Sequence, residues 1–282
     1  MNFQLTAEQG AKVLVNGIAK SGTHLLKKIV SLAGYQQHPF CLGAAHANRA
    51  VVAFSEQHES VLGPGIEIGA ADPTPIHELL LRQLIRAMQP GFVFNGHCAF
   101  DPALARLLCE EKVKIIGILR DPRDIALSLV RYLIKHRHPV VQAQSEEQLL
   151  HAVLDGLVLN PNPRVQPRTM RNLAESCEAF LPWMDYPNTL TVRFEDLVGA
   201  EGGGNEDVQL AAIQCVQAFL GKDMARAEEI RGKAFGGTRT FSGGQIGGWQ
   251  SAYTPELCAR AEQVFGDYLS LTGYIAKAES KK

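Results

Sequence analysis

The chain has 282 residues, 46% hydrophobic and 20% charged, which is enough to bury the core of one large α/β domain. Its 28 Lys and Arg against 29 Asp and Glu leave a net charge of −1. No global field therefore draws nucleic acid or an acidic membrane, and any basic site must be local. The six cysteines (41, 98, 109, 177, 215 and 258) are scattered without a C-x-x-C pair; they read as reduced, mostly buried thiols of a cytoplasmic protein, not as a disulfide frame or zinc site. The first residues lack the basic-then-apolar order of a signal peptide, and no run approaches the ~18 apolar residues of a membrane span.

The run Val13-Leu14-Val15 is short and apolar, as a buried strand should be, and a turn with Gly17 and Gly22 follows. Apolar residues at 25, 26, 29, 30 and 32 then predict a helix over 23–32. Strand, glycine turn and helix N-terminus make an anion site, because unpaired N–H groups and the helix dipole both favour negative charge. The glycine spacing is that of a P-loop, but Thr23 stands where the lysine belongs, and the lysine, Lys20, comes three residues earlier.

Residues 34–90 read as irregular, with five prolines, several glycines and one helix over 76–88. This stretch is either the wall of an acceptor pocket or a variable cover over the sheet. Its histidines lack metal-ligand spacing. The run 92–97 predicts a second strand, ending at His97, where the groups of an open α/β sheet site fall. Asp101 and Pro102 start a helix running to about 111. The clearest strand is 112–119, apolar enough to be covered on both faces. It runs into Arg120-Asp121-Pro122-Arg123-Asp124 and a helix through 134, which Asp121 or Asp124 would cap. Arg120 and Ser128 either converge on a phosphate, or the arginine makes a surface pair with an aspartate.

Residues 135–168 are basic and proline-rich around a short helix at about 146–157, a lid or a solvated loop. A helix at 170–184 and a strand at 189–194 follow, then Glu195-Asp196-Leu197 and a glycine-rich turn at 199–205 that opens no dinucleotide site. Helices at about 207–220 and 224–235 lead to a long glycine loop, 236–248, whose backbone can lie close against a ligand. Thr254 and Pro255 start the last helix.

Four of these segments, in order, resemble the sulfotransferases that use 3′-phosphoadenosine 5′-phosphosulfate. Lys20-Ser21-Gly22-Thr23 is similar to their 5′-phosphosulfate loop. The segment from Arg120 to Ser128 resembles their 3′-phosphate segment, Val192-Arg193-Phe194-Glu195-Asp196-Leu197 their strand end, and Gly244-Gln245-Ile246-Gly247-Gly248-Trp249 their C-terminal glycine loop. The resemblance covers residues 12–270 and implies a P-loop-like central parallel sheet with helices on both faces, in a single domain over 1–282 with acceptor-side insertions at about 35–90 and 135–168. It implies sulfuryl transfer, in-line and without a metal, to a hydroxyl or amine of a small-molecule or sugar acceptor. Lys20, Ser21, Gly22, Thr23 and His24 would hold the phosphosulfate. Arg120, Ser128 and the Gly244 backbone would hold the 3′-phosphate, and Phe235 would stack on adenine. His97 would be the base, with Lys20 stabilising the leaving oxygen.

Three departures stand out. Ser242-Gly243-Gly244 replaces the family's Arg-Lys-Gly, leaving Arg239 as the near substitute. Asn95 replaces a lysine, and Leu25 a tryptophan. A degenerate P-loop kinase and an inactive nucleotide-binding relative are the alternatives.

Overall fold

A computed structural model describes residues 10–43, 49–62, 65–138, 141, 144–156, 171–237 and 243–275. Its centre is a five-stranded parallel sheet. Strand β1 (Lys12–Gly17) leads into helix α1 (Thr23–Leu32), then β2 (Gln36–Leu42), α2 (Arg49–Leu62), the small antiparallel pair β3 (Ile66–Ile68) and β4 (Thr74–Ile76), and α3 (Glu78–Ala87). Next come β5 (Phe92–Gly96), α4 (Pro102–Glu110), β6 (Val113–Leu119), α5 (Pro122–Lys135), α6 (Glu146–Asp155) and α7 (Leu173–Phe180). Strand β7 (Thr189–Arg193) is followed by the single turn α8 (Phe194–Leu197), α9 (Glu206–Leu220), α10 (Ala227–Ala234), the short α11 (Trp249–Ala252) and α12 (Pro255–Thr272).

The strand order is β2-β5-β1-β6-β7, so β1 lies in the middle and pairs with β5 and β6. Alternation along β1 splits the interior in two. Leu14 joins Phe94, Ile115, Leu119 and the apolar sides of α4 to α7 and α12 on one face. Val13 and Val15 join Val93, Ile116, Ile118 and the apolar sides of α1, α9 and α10 on the other. A sheet buried on both faces needs strands without polar alternation, and β6 supplies one.

The residues 34–90, expected to be irregular, are largely ordered into β2, α2, the small hairpin and α3. Strand β2 carries no strand signal in the sequence: Gln-Gln-His-Pro-Phe-Cys-Leu is polar, half exposed and broken by Pro39. It is an edge strand with an irregular register between Gln37 and Cys41, the one kind of strand that tolerates a proline. The expected helix at 76–88 begins at Glu78, because Ile76 pairs in β4 and His77 is the cap. The helix expected from 170 begins at Leu173 under an Asn172–Glu175 capping box, and its last residues are a 3-10 turn, Leu181–Asp185. The helix expected at 224–235 splits into a 3-10 turn, Met224–Arg226, and α10. Asp121, not Asp124, caps α5. The cysteines are free thiols, but only Cys98 and Cys177 are buried; Cys109 and Cys215 are exposed. Residues 44–48, much of 135–168 and Arg239 lie outside the described residues.

One buried clamp fixes the carboxyl ends of the two strands nearest the site. Asn16, fully buried, donates through Nδ2 to the Cys98 carbonyl (3.1 Å) and accepts the Cys98 N–H at Oδ1 (2.9 Å). Trp183 Nε1 donates to the same carbonyl (3.1 Å). Asn16→Ala therefore strands the Cys98 N–H but not its carbonyl, and should cost about 1–3 kcal/mol. Urea unfolding checks this: an unchanged midpoint would show that the clamp contributes nothing to stability.

Candidate active site

All five strands run the same way, so β1, β5, β6 and β7 deliver Gly17, His97, Arg120 and Phe194 to one edge of the sheet. A cavity of about 390 Å³ opens there, in the range of ligand sites. Of the residues singled out in the sequence, Lys20, Gly22, Thr23, His24, His97, Arg120, Ser128, Phe235 and Gly244 all line it. Ser21 does not. It is fully buried under the loop, its Oγ lacks a protein partner and its N–H donates to the Ile18 carbonyl (3.0 Å).

The loop after β1 is wound tightly. Lys20 has φ 74°, unusual for a residue with a side chain, and Gly22 has φ 106°. A Cβ on Gly22 would lie 2.6 Å from the Phe194 ring. Only glycine lets the β7 end close against this loop. No side chain caps α1, and its first turn holds no acidic residue. Its leading N–H groups thus stand at the cavity as an anion-binding end.

Two cations meet across the loop. Arg120 is 7% exposed, lies 4.1 Å over the Phe194 ring, and donates from Nη1 to the Lys20 carbonyl and from Nη2 to the Gln245 carbonyl, both at 3.0 Å. The Lys20 ammonium sits 4.2 Å over the Tyr132 ring. Burial, then Arg120 and Lys135, bring Lys20 down to about 8. Burial also pushes Arg120 below its usual range, against Asp124, Glu195 and Asp121.

Two histidines face the same cavity. His97 Nδ1 lies 2.8 Å from the Gly17 carbonyl, which can only accept, so Nδ1 carries the proton and Nε2 keeps its lone pair. Burial and Lys20 lower the His97 pKa, while the Gly17 bond raises it, with a net decrease. His24, in the first turn of α1, falls to about 4 through desolvation, then His97, Lys27 and Lys20. Both imidazoles are therefore neutral at pH 7.

The contacts that lock the site together carry no sequence signal, even where their residues lie in the four resembling segments. Asp124 accepts from the Gly247 N–H at Oδ2 (2.8 Å) and the Trp249 N–H at Oδ1 (3.1 Å), stapling the C-terminal glycine loop to α5. The turn at 199–205 seats the same loop: the Ile246 N–H donates to the Gly202 carbonyl (3.0 Å), and a Cβ on Gly202 would lie 2.6 Å from the Gly244 carbonyl. Glu195 accepts from the Asp121 N–H (3.0 Å) and from the Tyr274 hydroxyl (2.7 Å), tying β7 to the start of α5. Lys28 on α1 donates to the Phe235 (3.3 Å) and Gly236 (2.9 Å) carbonyls and so fixes the segment after α10. These contacts join residues far apart in sequence, and neither periodicity nor a motif marks them. Asn95 is buried in β5 and does not line the cavity. Among the described residues no group of three or more His, Cys, Asp or Glu is placed to hold a metal, and no helix is long and apolar enough to cross a membrane.

Comparison with known proteins gives one family. The family model described as "Sulfotransferase domain" matches residues 11–273. No curated protein sequence matches the chain. Similar solved structures include mouse sulfotransferase SULT7A1 complexed with PAP, at 16% identity, a TM-score of 0.60, and 94% of this chain covering 87% of that one. They also include retinol dehydratase with androsterone and the inactive cofactor PAP, at 16% identity, a TM-score of 0.54, and 92% covering 80%. At such identity these two show the fold.

The Asp124 staple is testable by itself. Asp124→Asn keeps the shape but removes the charge and one accepting oxygen. Hydrogen exchange at the Gly247 and Trp249 amides should then rise on the order of 10-fold or more. Unchanged protection would mean that the loop is held without Asp124.

Proposed function

The chain belongs to the sulfotransferase family, and we propose that it transfers a sulfuryl group from 3′-phosphoadenosine 5′-phosphosulfate to a hydroxyl or amine of a small-molecule or sugar acceptor. One observation carries the reading: Lys20, His97 and Arg120 meet at a single cavity beside an uncapped helix N-terminus. The donor set suits a nucleotide with anionic groups at both ends of its ribose. The α1 end and Lys20 would hold the 5′ side; Arg120, Ser128 and the Gly244 backbone would hold the 3′-phosphate, with Phe235 against the base. The PAP in both structural relatives supports the nucleotide. Retinol dehydratase, solved with androsterone and with retinol, supports a small-molecule acceptor.

The bound phosphosulfate supplies a sulfuryl group already joined to a good leaving group. The protein's part is positioning and charge stabilisation, as in phosphoryl transfer. His97 is oriented by Gly17 and neutral at pH 7, so Nε2 can take the acceptor's proton as the acceptor atom bonds to sulfur. The electron pair of the broken S–O bond stays on the 5′-phosphate, where the Lys20 ammonium balances the charge. His24 stays neutral and available as a hydrogen-bonding partner on the 5′ side.

Calorimetric titration tests the reading. Binding of 3′,5′-adenosine bisphosphate without metal is the expected result, and a preference for ATP-Mg²⁺ would replace it with a kinase. His97→Ala should retain that binding and lose ~10²–10⁴-fold in turnover. Full activity in the variant would remove His97 from the mechanism.

The pH dependence has a definite sign. Lys20 must be protonated to pair with an anion, and the anion raises its pKa in the complex. Bisphosphate affinity should be level between about pH 7 and 8, above the phosphates' own second pKa of about 6, and fall as the pH rises past about 8, the value for Lys20 in the free protein. Lys20→Arg should flatten that fall, and an affinity equally level in the parent protein up to pH 10 would show that Lys20 does not pair with the nucleotide.

A further inference from the structure

The C-terminal loop lacks the basic pair that the resemblance leads one to look for, since Ser242-Gly243-Gly244 stands in its place. Among the described residues three side chains that are positively charged at pH 7 line the cavity: Lys20, Arg120 and Arg131. Lys20 lies over Tyr132, and Arg120 spends two nitrogens on backbone carbonyls. Arg131 is held differently. Its Nη2 lies 3.4 Å from Glu146 Oε1, and the two side chains are 51% and 40% exposed, so the pair is weak and easily exchanged.

The spacing on α5 says which part of the cavity Arg131 serves. Residues four apart on a helix lie one above the other. Ser128 and Tyr132 form one line, and it ends beneath the Lys20 ammonium. Leu127 and Arg131 form the next line. That line starts against the glycine loop, where Leu127 Cδ2 would lie 3.7 Å from a Cβ on Gly248. Arg131 therefore stands on the glycine-loop flank of α5, one helical turn from Ser128, on the side where Arg120 holds the Gln245 carbonyl. Of the carboxylates near it, Asp124 is occupied by the Gly247 and Trp249 amides, and Glu146 is the exposed partner.

We propose that Arg131 is a nucleotide-binding residue that grips the 3′-phosphate with Arg120 and Ser128, in place of the missing basic pair. The assignment rests on the nucleotide reading above. A planar guanidinium with a loosely held partner suits a phosphate dianion, and it can trade Glu146 for the ligand without leaving a buried charge unpaired. Selection of the 3′-phosphorylated nucleotide over its unphosphorylated counterpart then depends on α5 more than on the C-terminal loop.

The test compares 3′,5′-adenosine bisphosphate with adenosine 5′-monophosphate by calorimetry on the full chain. Arg131→Ala should lose on the order of 10–100-fold for the bisphosphate and less than about 2-fold for the monophosphate. Arg131→Lys should recover part of the loss. Equal losses for both ligands, or none for either, would overturn the assignment. So would an unchanged bisphosphate affinity with a raised acceptor KM, which would move Arg131 to the acceptor. Absence of bisphosphate binding by the unmodified chain would instead defeat the nucleotide reading itself, and it is seen before any variant is compared.

Discussion

The site depends on keeping two cations together without a carboxylate between them. Arg120 is buried and donates to the backbone carbonyl of Lys20, so the guanidinium and the loop that carries the ammonium move as one piece. Such a pair repels, and the fall of Lys20 to about 8 records that repulsion together with burial. The protein does hold carboxylates nearby, Asp124 at the cavity wall among them, but their oxygens are already committed to other partners. Asp124 accepts two loop amides, Glu195 accepts the Asp121 amide and the Tyr274 hydroxyl, and Asp121 is committed to Arg123 at 2.6 Å. These acids lower the cost of burying Arg120 without bonding to its guanidinium. A carboxylate bonded directly to Lys20 would stabilise the free protein and quench the site.

The fold bears the cost of that arrangement. Lys20 in a left-handed conformation and an α1 without a cap are local penalties. They persist because β1 is the central strand, buried on both faces, and because Asn16 locks its end to Cys98. Phe194 serves both sides of the balance. Its ring packs against the space that Gly22 leaves and also forms the apolar platform under Arg120.

What the sequence made legible follows from how each feature is encoded. Central strands and the helices after them carry long apolar patterns, and β6, α1 and α12 were readable for that reason. The turn after β1 could be placed at the cavity because its residue types are contiguous, and Arg120 and Ser128 because they straddle one strand–helix junction. Strand β2 was not readable, because an edge strand need not bury its side chains and here includes a proline. The Asp124 staple and the Gly202 seat were not either: each joins positions tens of residues apart, and the same residues would look ordinary in any solvated turn. The glycines at 199–205 open no dinucleotide site by their spacing, yet their backbone holds the loop that completes the cavity.

That loop is where the structure's parts become one equilibrium. It is tied at Gln245 to Arg120, at Gly247 and Trp249 to Asp124, at Ile246 to Gly202, and through the Trp249 ring to the Arg123 guanidinium, 3.9 Å away. Arg120 and Asp124 also line the cavity. A ligand that draws the Arg120 fork toward itself must either loosen the Gln245 carbonyl or keep it within the same network. Asp124 answers the same positive charge, so any shift of Arg120 changes the field that holds the loop amides. Any ligand that engages Arg120 is therefore coupled to loop order, and by reciprocity each would shift the other by the same free energy. Among its described residues, 243–248, the loop carries no charged side chain, so what it presents to the cavity is set by these backbone ties.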